Sequence, residues 1–143
     1  MLGRDAIAAL IPHQGSMCLL DRVLEWDKDH IVLATATHRA STNPLRSDGR
    51  LRAIHLCEYG AQAMAVHGGL AAQADGRTAQ PGFLVSLREV KLHVDFVDSL
   101  RGELHVSARR LLESSGSWQY SFEVRHEGGV LASGRAAIIA RSG

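Results

Sequence analysis

Glu58 is the only Asp, Glu, Lys or Arg between Ala53 and Ala74, a stretch of small and apolar residues. A carboxylate in such company is seldom buried unless it is paired or functional. Two readings compete. Glu58 either reaches solvent at a helix start, where the helix dipole favours it, or sits in an apolar tunnel. In a tunnel desolvation favours the protonated form, which suits a carboxyl to general acid or base work. Gln62 lies four residues on and therefore on the same helical face. Its amide can hydrogen-bond the carboxyl and fix its rotamer. Gly60, Ala61 and Ala63 leave room beside both for a ligand or another helix.

Proton transfer needs partners, and histidine is the side chain whose charge changes near neutral pH. An isolated histidine is more often a satisfied core or surface group than a catalyst. His55 precedes Glu58 by three residues and could face it. Asn43 could hydrogen-bond a ligand but cannot transfer protons. Arg46, Arg50 and Arg52 form either a solvated loop or a contact with a phosphate, whose geometry suits arginine. Cys18 and Cys57 are too few for a disulfide framework and lack metal-site spacing. They read as structural thiols of a reducing compartment. No metal and no cofactor is expected.

The elements that must position these residues follow from periodicity. Residues 3–10 form a short amphipathic helix ended by Pro12. Residues 17–26 and 30–38 read as a strand hairpin turning at Asp27-Lys28-Asp29. Residues 41–52 are loop. Residues 53–74 show almost no polar face, which predicts a long helix buried nearly all round, ended by Asp75-Gly76. Four strands follow, over 82–96, 103–111, 117–126 and 130–140. The first changes parity near Arg88-Glu89, the mark of a bulge. In the third, Trp118, Tyr120, Phe122 and Val124 share a face, and Glu127-Gly128-Gly129 turns it into the last.

Such an order, with one apolar helix among about six strands, predicts an α+β hotdog fold in which a curved antiparallel sheet wraps the helix. An open edge of that sheet is a liability that a double-hotdog dimer removes. With 143 residues and 45% hydrophobic residues, the chain reads as one domain, 1–143, with a real core. Sixteen basic residues against fifteen acidic argue against a nucleic-acid partner. No window approaches the ~18 apolar residues of a membrane span, and Asp5 spoils the N-terminal run as a signal peptide. The expected location is cytoplasmic.

Several motifs together resemble a known family. Ile11-Pro12-His13 through Leu20-Asp21-Arg22-Val23 is similar to the opening of the bacterial 3-hydroxyacyl-acyl-carrier-protein dehydratases. Cys57-Glu58-Tyr59-Gly60-Ala61-Gln62-Ala63 resembles their central helix. Gly82-Phe83-Leu84 and Leu92-His93-Val94-Asp95-Phe96 resemble a divergent branch from aryl-polyene pigment clusters. The resemblance implies a fatty-acid- or polyene-type lyase that removes water from a 3-hydroxyacyl thioester on acyl carrier protein or coenzyme A. It implies a site shared between two chains, with Glu58 matching the family's glutamate. The family's histidine, about fourteen residues earlier, has no counterpart, because that neighbourhood reads Thr42-Asn43-Pro44-Leu45.

His13, His38, His55 and His93 are then the candidates to replace it, His13 first, since it matches a family position. Gln62, Asn43 and His55 are candidates for holding substrate. The thioester carbonyl would be polarised by N–H groups at the start of the long helix. Three readings remain open: an active homodimeric dehydratase, or larger oligomer; a weak or acyl-binding subunit paired with a paralogous dehydratase; and a hotdog thioesterase in which the carboxylate activates water.

Overall fold

A computed structural model describes residues 2–11, 15–77 and 82–140. Helix α1 (Arg4–Leu10) leads through a 3-10 turn to strand β1 (Arg22–Trp26) and then β2 (His30–Thr35). Helix α2 (Leu56–Ala74) follows, then β3 (Gly82–Leu92), β4 (Leu104–Ser114), β5 (Ser117–His126) and β6 (Gly129–Ala140). The six strands form one antiparallel sheet in the order β1-β2-β4-β5-β6-β3. Helix α2 lies against β2, β4, β5 and β6. This is the hotdog arrangement expected from the sequence.

Strand β5 shows why these residues form these elements. Its alternation sends Tyr120, Phe122 and Val124 inward, each at most 2% exposed. The Phe122 ring fills the gap between helix and sheet, and glycines admit it on both sides. A Cβ on Gly60 of α2 would lie 2.6 Å from the ring, and one on Gly134 of β6 would lie 2.7 Å from it. Burying one such side chain contributes about 2–3 kcal/mol. The β5–β6 hairpin turns through Glu127 and Gly128, both at positive φ, as a two-residue turn on right-twisted strands requires.

Two elements differ from expectation. Residues 17–21 are not strand: a 3-10 turn (Gly15–Met17) and an extended segment precede β1. Arg4 explains this locally, donating to the Gly15 and Cys18 carbonyls and pairing with Asp21. Strand β2 stops at Thr35, and a second 3-10 turn (Thr37–Arg39) takes His38 out of it. The expected bulge is present, between Arg88 and Lys91 of β3, with Glu89 at φ 56°.

Helix α2 is not closed on every side. Glu58, Ala61, Ala65 and Gly68 are half-buried, at the 3-4-3 spacing of a single helical stripe. Strand β3 is the other open feature. It is an edge strand of 11 residues, and Leu84, Val85, Leu87 and Leu92 are 40–53% exposed.

Candidate active site

Gln62 is completely buried, and its orientation can be deduced. The Leu19 N–H can only donate, and it lies 2.9 Å from Gln62 Oε1. The amide nitrogen therefore faces the other way, donating to the Met17 carbonyl at 2.8 Å and to Glu58 Oε1 at 3.4 Å. The expected Gln62–Glu58 contact is thus made, by an amide tied first to the segment ahead of β1. Glu58 itself is half-buried in the first turn of α2, where a negative charge is favoured by the helix dipole.

A second polar cluster adjoins this one, and sequence reasoning missed most of it. Thr35 and Thr37 both donate to the Leu19 carbonyl, at 2.5 and 2.6 Å. The Tyr59 hydroxyl lies 2.8 Å from Thr37 Oγ1 and accepts from Asn43 Nδ2 at 3.0 Å. Asn43 also donates to the Thr37 carbonyl, and its Oδ1 accepts the Leu45 N–H. Burial raises the Tyr59 pKa above that of an ordinary phenol, so the hydroxyl keeps its proton. The signal for this cluster was two threonines two apart at a strand end, legible only beside the tyrosine that meets them.

The other candidates are spread apart. His13 lies outside the described residues. His55 is half-buried in the 3-10 turn (Ala53–His55) that leads into α2. His93 is exposed at the end of β3. His38 is fully buried, with Nε2 2.8 Å from the Leu100 carbonyl. Because that carbonyl only accepts, Nε2 carries the proton. Burial lowers the His38 pKa, and Arg39, His126 and Arg46 push the same way. Asn43 is 6% exposed, and its amide is engaged as described.

The turn that leads into the helix spends its own N–H groups. The N–H groups of Ala53, His55 and Leu56 already bond the carbonyls of Asp95, Arg52 and Ala53–Ile54. The loop arginines are partly spent too. Arg50 pairs with Asp98 and lies over the Phe96 ring at 3.9 Å, while Arg52 approaches the same ring at 5.1 Å. Arg46 bonds the Gly49 carbonyl. No group of three or more metal-ligating side chains gathers among the described residues.

The arrangement is thus a carboxyl of fixed approach, half-open at the head of a small-residue stripe. Proton transfer to a group lying along that stripe is the chemistry it can do. Among solved structures, the dehydratase heterocomplex ApeI:P from Xenorhabdus doucetiae is similar over 95% of this chain and 91% of that one. Its TM-score is 0.84 at 23% identity. A hypothetical thioesterase with coenzyme A from Streptococcus pneumoniae TIGR4 covers 85% of each chain, with a TM-score of 0.63 at 10% identity. At these identities both show the fold alone. No curated protein matches the chain. The family model described as ApeP-like, ApeP dehydratase, matches residues 5–142, and this chain therefore belongs to the ApeP-like dehydratase family.

Proposed function

We propose that this chain acts in the cytoplasm as one subunit of a two-chain dehydratase, removing water from a 3-hydroxyacyl thioester carried on phosphopantetheine. The observation that carries this reading is the position of Glu58. It is held by Gln62 at the head of the half-buried stripe Ala61–Ala65–Gly68. Elimination moves the C2 proton to a base and releases the C3 hydroxyl as water after an acid protonates it. Glu58 supplies one of these transfers, or both in sequence, taking the C2 proton and returning it to the leaving oxygen.

The second chain is part of the proposal. A β3 edge with four large apolar side chains 40–53% exposed calls for a partner strand, and pairing there would continue the sheet. A paralogous dehydratase fits best, because His38 is committed to the Leu100 carbonyl and His93 is exposed just past β3. The similar ApeI:P structure is a dehydratase heterocomplex, which supports the same choice. An acyl-binding subunit without turnover is the second reading, favoured by the prior engagement of the amides leading into α2.

The test is a dehydration assay. Purified chain, alone and with a paralogous dehydratase, is given a 3-hydroxyacyl thioester on acyl carrier protein and followed by mass spectrometry for loss of water. We expect weak turnover alone and a strong rise with the partner. Tight acyl-carrier binding with no turnover in either case would replace this reading with the acyl-binding one. Sedimentation at micromolar concentration should show a dimer, and a monomer that persists with the partner present would sink the shared site.

A further inference from the structure

The polar groups around Leu19 form a single directed chain. Leu19 C=O can only accept, and Asn43 Oδ1 takes the Leu45 N–H. The Asn43 amide nitrogen must therefore donate to the Tyr59 oxygen. The Tyr59 proton is then left for Thr37 Oγ1, whose own proton goes to the Leu19 carbonyl. Across the same residue, the Leu19 N–H fixes the Gln62 amide, which points its nitrogen at Glu58. The Asn43-to-Tyr59-to-Thr37 direction is fixed, while the Thr37 proton is shared between the Leu19 carbonyl and Thr35 Oγ1, 2.9 Å away.

Apart from Thr37, which is half-buried like the carboxyl, these groups are far more buried than Glu58. Tyr59, Thr35 and Gln62 are 0% exposed and Asn43 is 6% exposed, whereas Glu58 is half-buried. A rigid, fully satisfied network behind a half-open group is what holds such a group in place. Tyr59 also joins two parts of the chain: it follows Glu58 directly in α2 and receives the loop at Asn43.

We propose that Tyr59 is a positioning residue for the dehydration, locking the 37–45 loop and residues 17–19 in the one arrangement that lets Gln62 hold Glu58. This rests on the reading of Glu58 as the proton-transferring group. Phenylalanine at position 59 would keep the ring but strand the Asn43 N–H and leave Thr37 Oγ1 without the proton it accepts, loosening its grip on the Leu19 carbonyl. Segment 17–19 would gain freedom, and the Gln62 amide with it. A displacement of about 1 Å in such a group can cost on the order of a hundredfold in rate.

The experiment uses Tyr59→Phe in the complete two-chain enzyme with a 3-hydroxyacyl-carrier thioester. We expect kcat to fall ten- to a hundredfold with KM within about twofold, counted per folded molecule. The Gln62 side-chain amide signals in nitrogen-15 NMR should shift, whereas backbone signals near His67 should not. Thr37→Val should reproduce the loss and Thr37→Ser should restore the rate, which also covers the case in which Tyr59→Phe folds poorly. Unchanged kcat and unmoved Gln62 signals in these variants would overturn the inference. Glu58→Gln separates the two failures. Wild-type turnover there defeats the function proposed above, whereas an inactive Glu58→Gln beside a fully active Tyr59→Phe defeats only the positioning role.

Discussion

The two halves of helix α2 treat polar side chains in opposite ways. At the Glu58 end, the chain's own groups close around Gln62 and Tyr59 and leave the carboxyl half-open. Nine residues on, or about 13 Å along the axis, His67 is fully buried. Its Nε2 lies 2.8 Å from the Asp27 carbonyl and its Nδ1 2.7 Å from the Tyr120 hydroxyl. The carbonyl can only accept, so Nε2 holds the proton and Nδ1 accepts from Tyr120. The Tyr120 oxygen in turn accepts from Arg110 at 3.1 Å. Among the described residues, both ring nitrogens of His67 and the Tyr120 hydroxyl are satisfied within the chain. A buried group finished by its own fold reads as structure, and one prepared but left half-open reads as function.

The largest expected effect tests the open end. Glu58→Gln in the two-chain enzyme should cut turnover by about 10²–10⁴-fold, the usual worth of a general acid or base. The thermal midpoint should hardly move, because the amide keeps the side chain's size. Wild-type turnover per folded molecule would erase the distinction between the two ends.

His67→Ala reverses the pattern. It leaves a cavity and strands the Tyr120 hydroxyl, at a combined cost of about 3 kcal/mol. At roughly 3 °C per kcal/mol for a chain of this size, calorimetry should show the midpoint lower by ~10 °C. Turnover per folded molecule should be unchanged, and a specific rate loss would show that the closed end also serves the chemistry.

Gly60→Ala sits between the ends and should be milder. Alanine gains about 1 kcal/mol of helix propensity, but its Cβ would lie 2.6 Å from the buried Phe122 ring. Overpacking of that kind costs about 1–3 kcal/mol, and the ring is held on its far side by Gly134. Urea unfolding should therefore show a net loss of ~1 kcal/mol. A stabilised variant would mean that the helix can lift from the sheet.

The mildest test changes only pH. Burial lowers the pKa of His67 and of His38 in the folded chain. Below the unfolded value of about 6.5, the unfolded chain takes up protons that the folded chain refuses. Stability is then intact above about pH 7 and declines as pH falls through 6.5 toward the folded values. Midpoints measured from pH 7.5 to 5 should drop in the wild type and drop less in His67→Ala. Equal slopes would remove His67 from the account.

The sequence by itself determined the elements whose cause is local. Strand β5 was legible because inward and outward residues alternate without a break, and α2 because it holds one charge in nineteen residues. The β3 bulge was legible as a change of parity, and Glu58 as a carboxylate with apolar neighbours. Tertiary structure alone decided which distant groups meet. Gln62 reaches Leu19 across 43 positions and His67 reaches Tyr120 across 53. His67 was not among the histidines the sequence singled out, and Asn43 read as a substrate-binding amide. No periodicity encodes such pairings, because they depend on how helix, loop and sheet are superposed, and only the folded chain brings a lone donor to the acceptor it lacks.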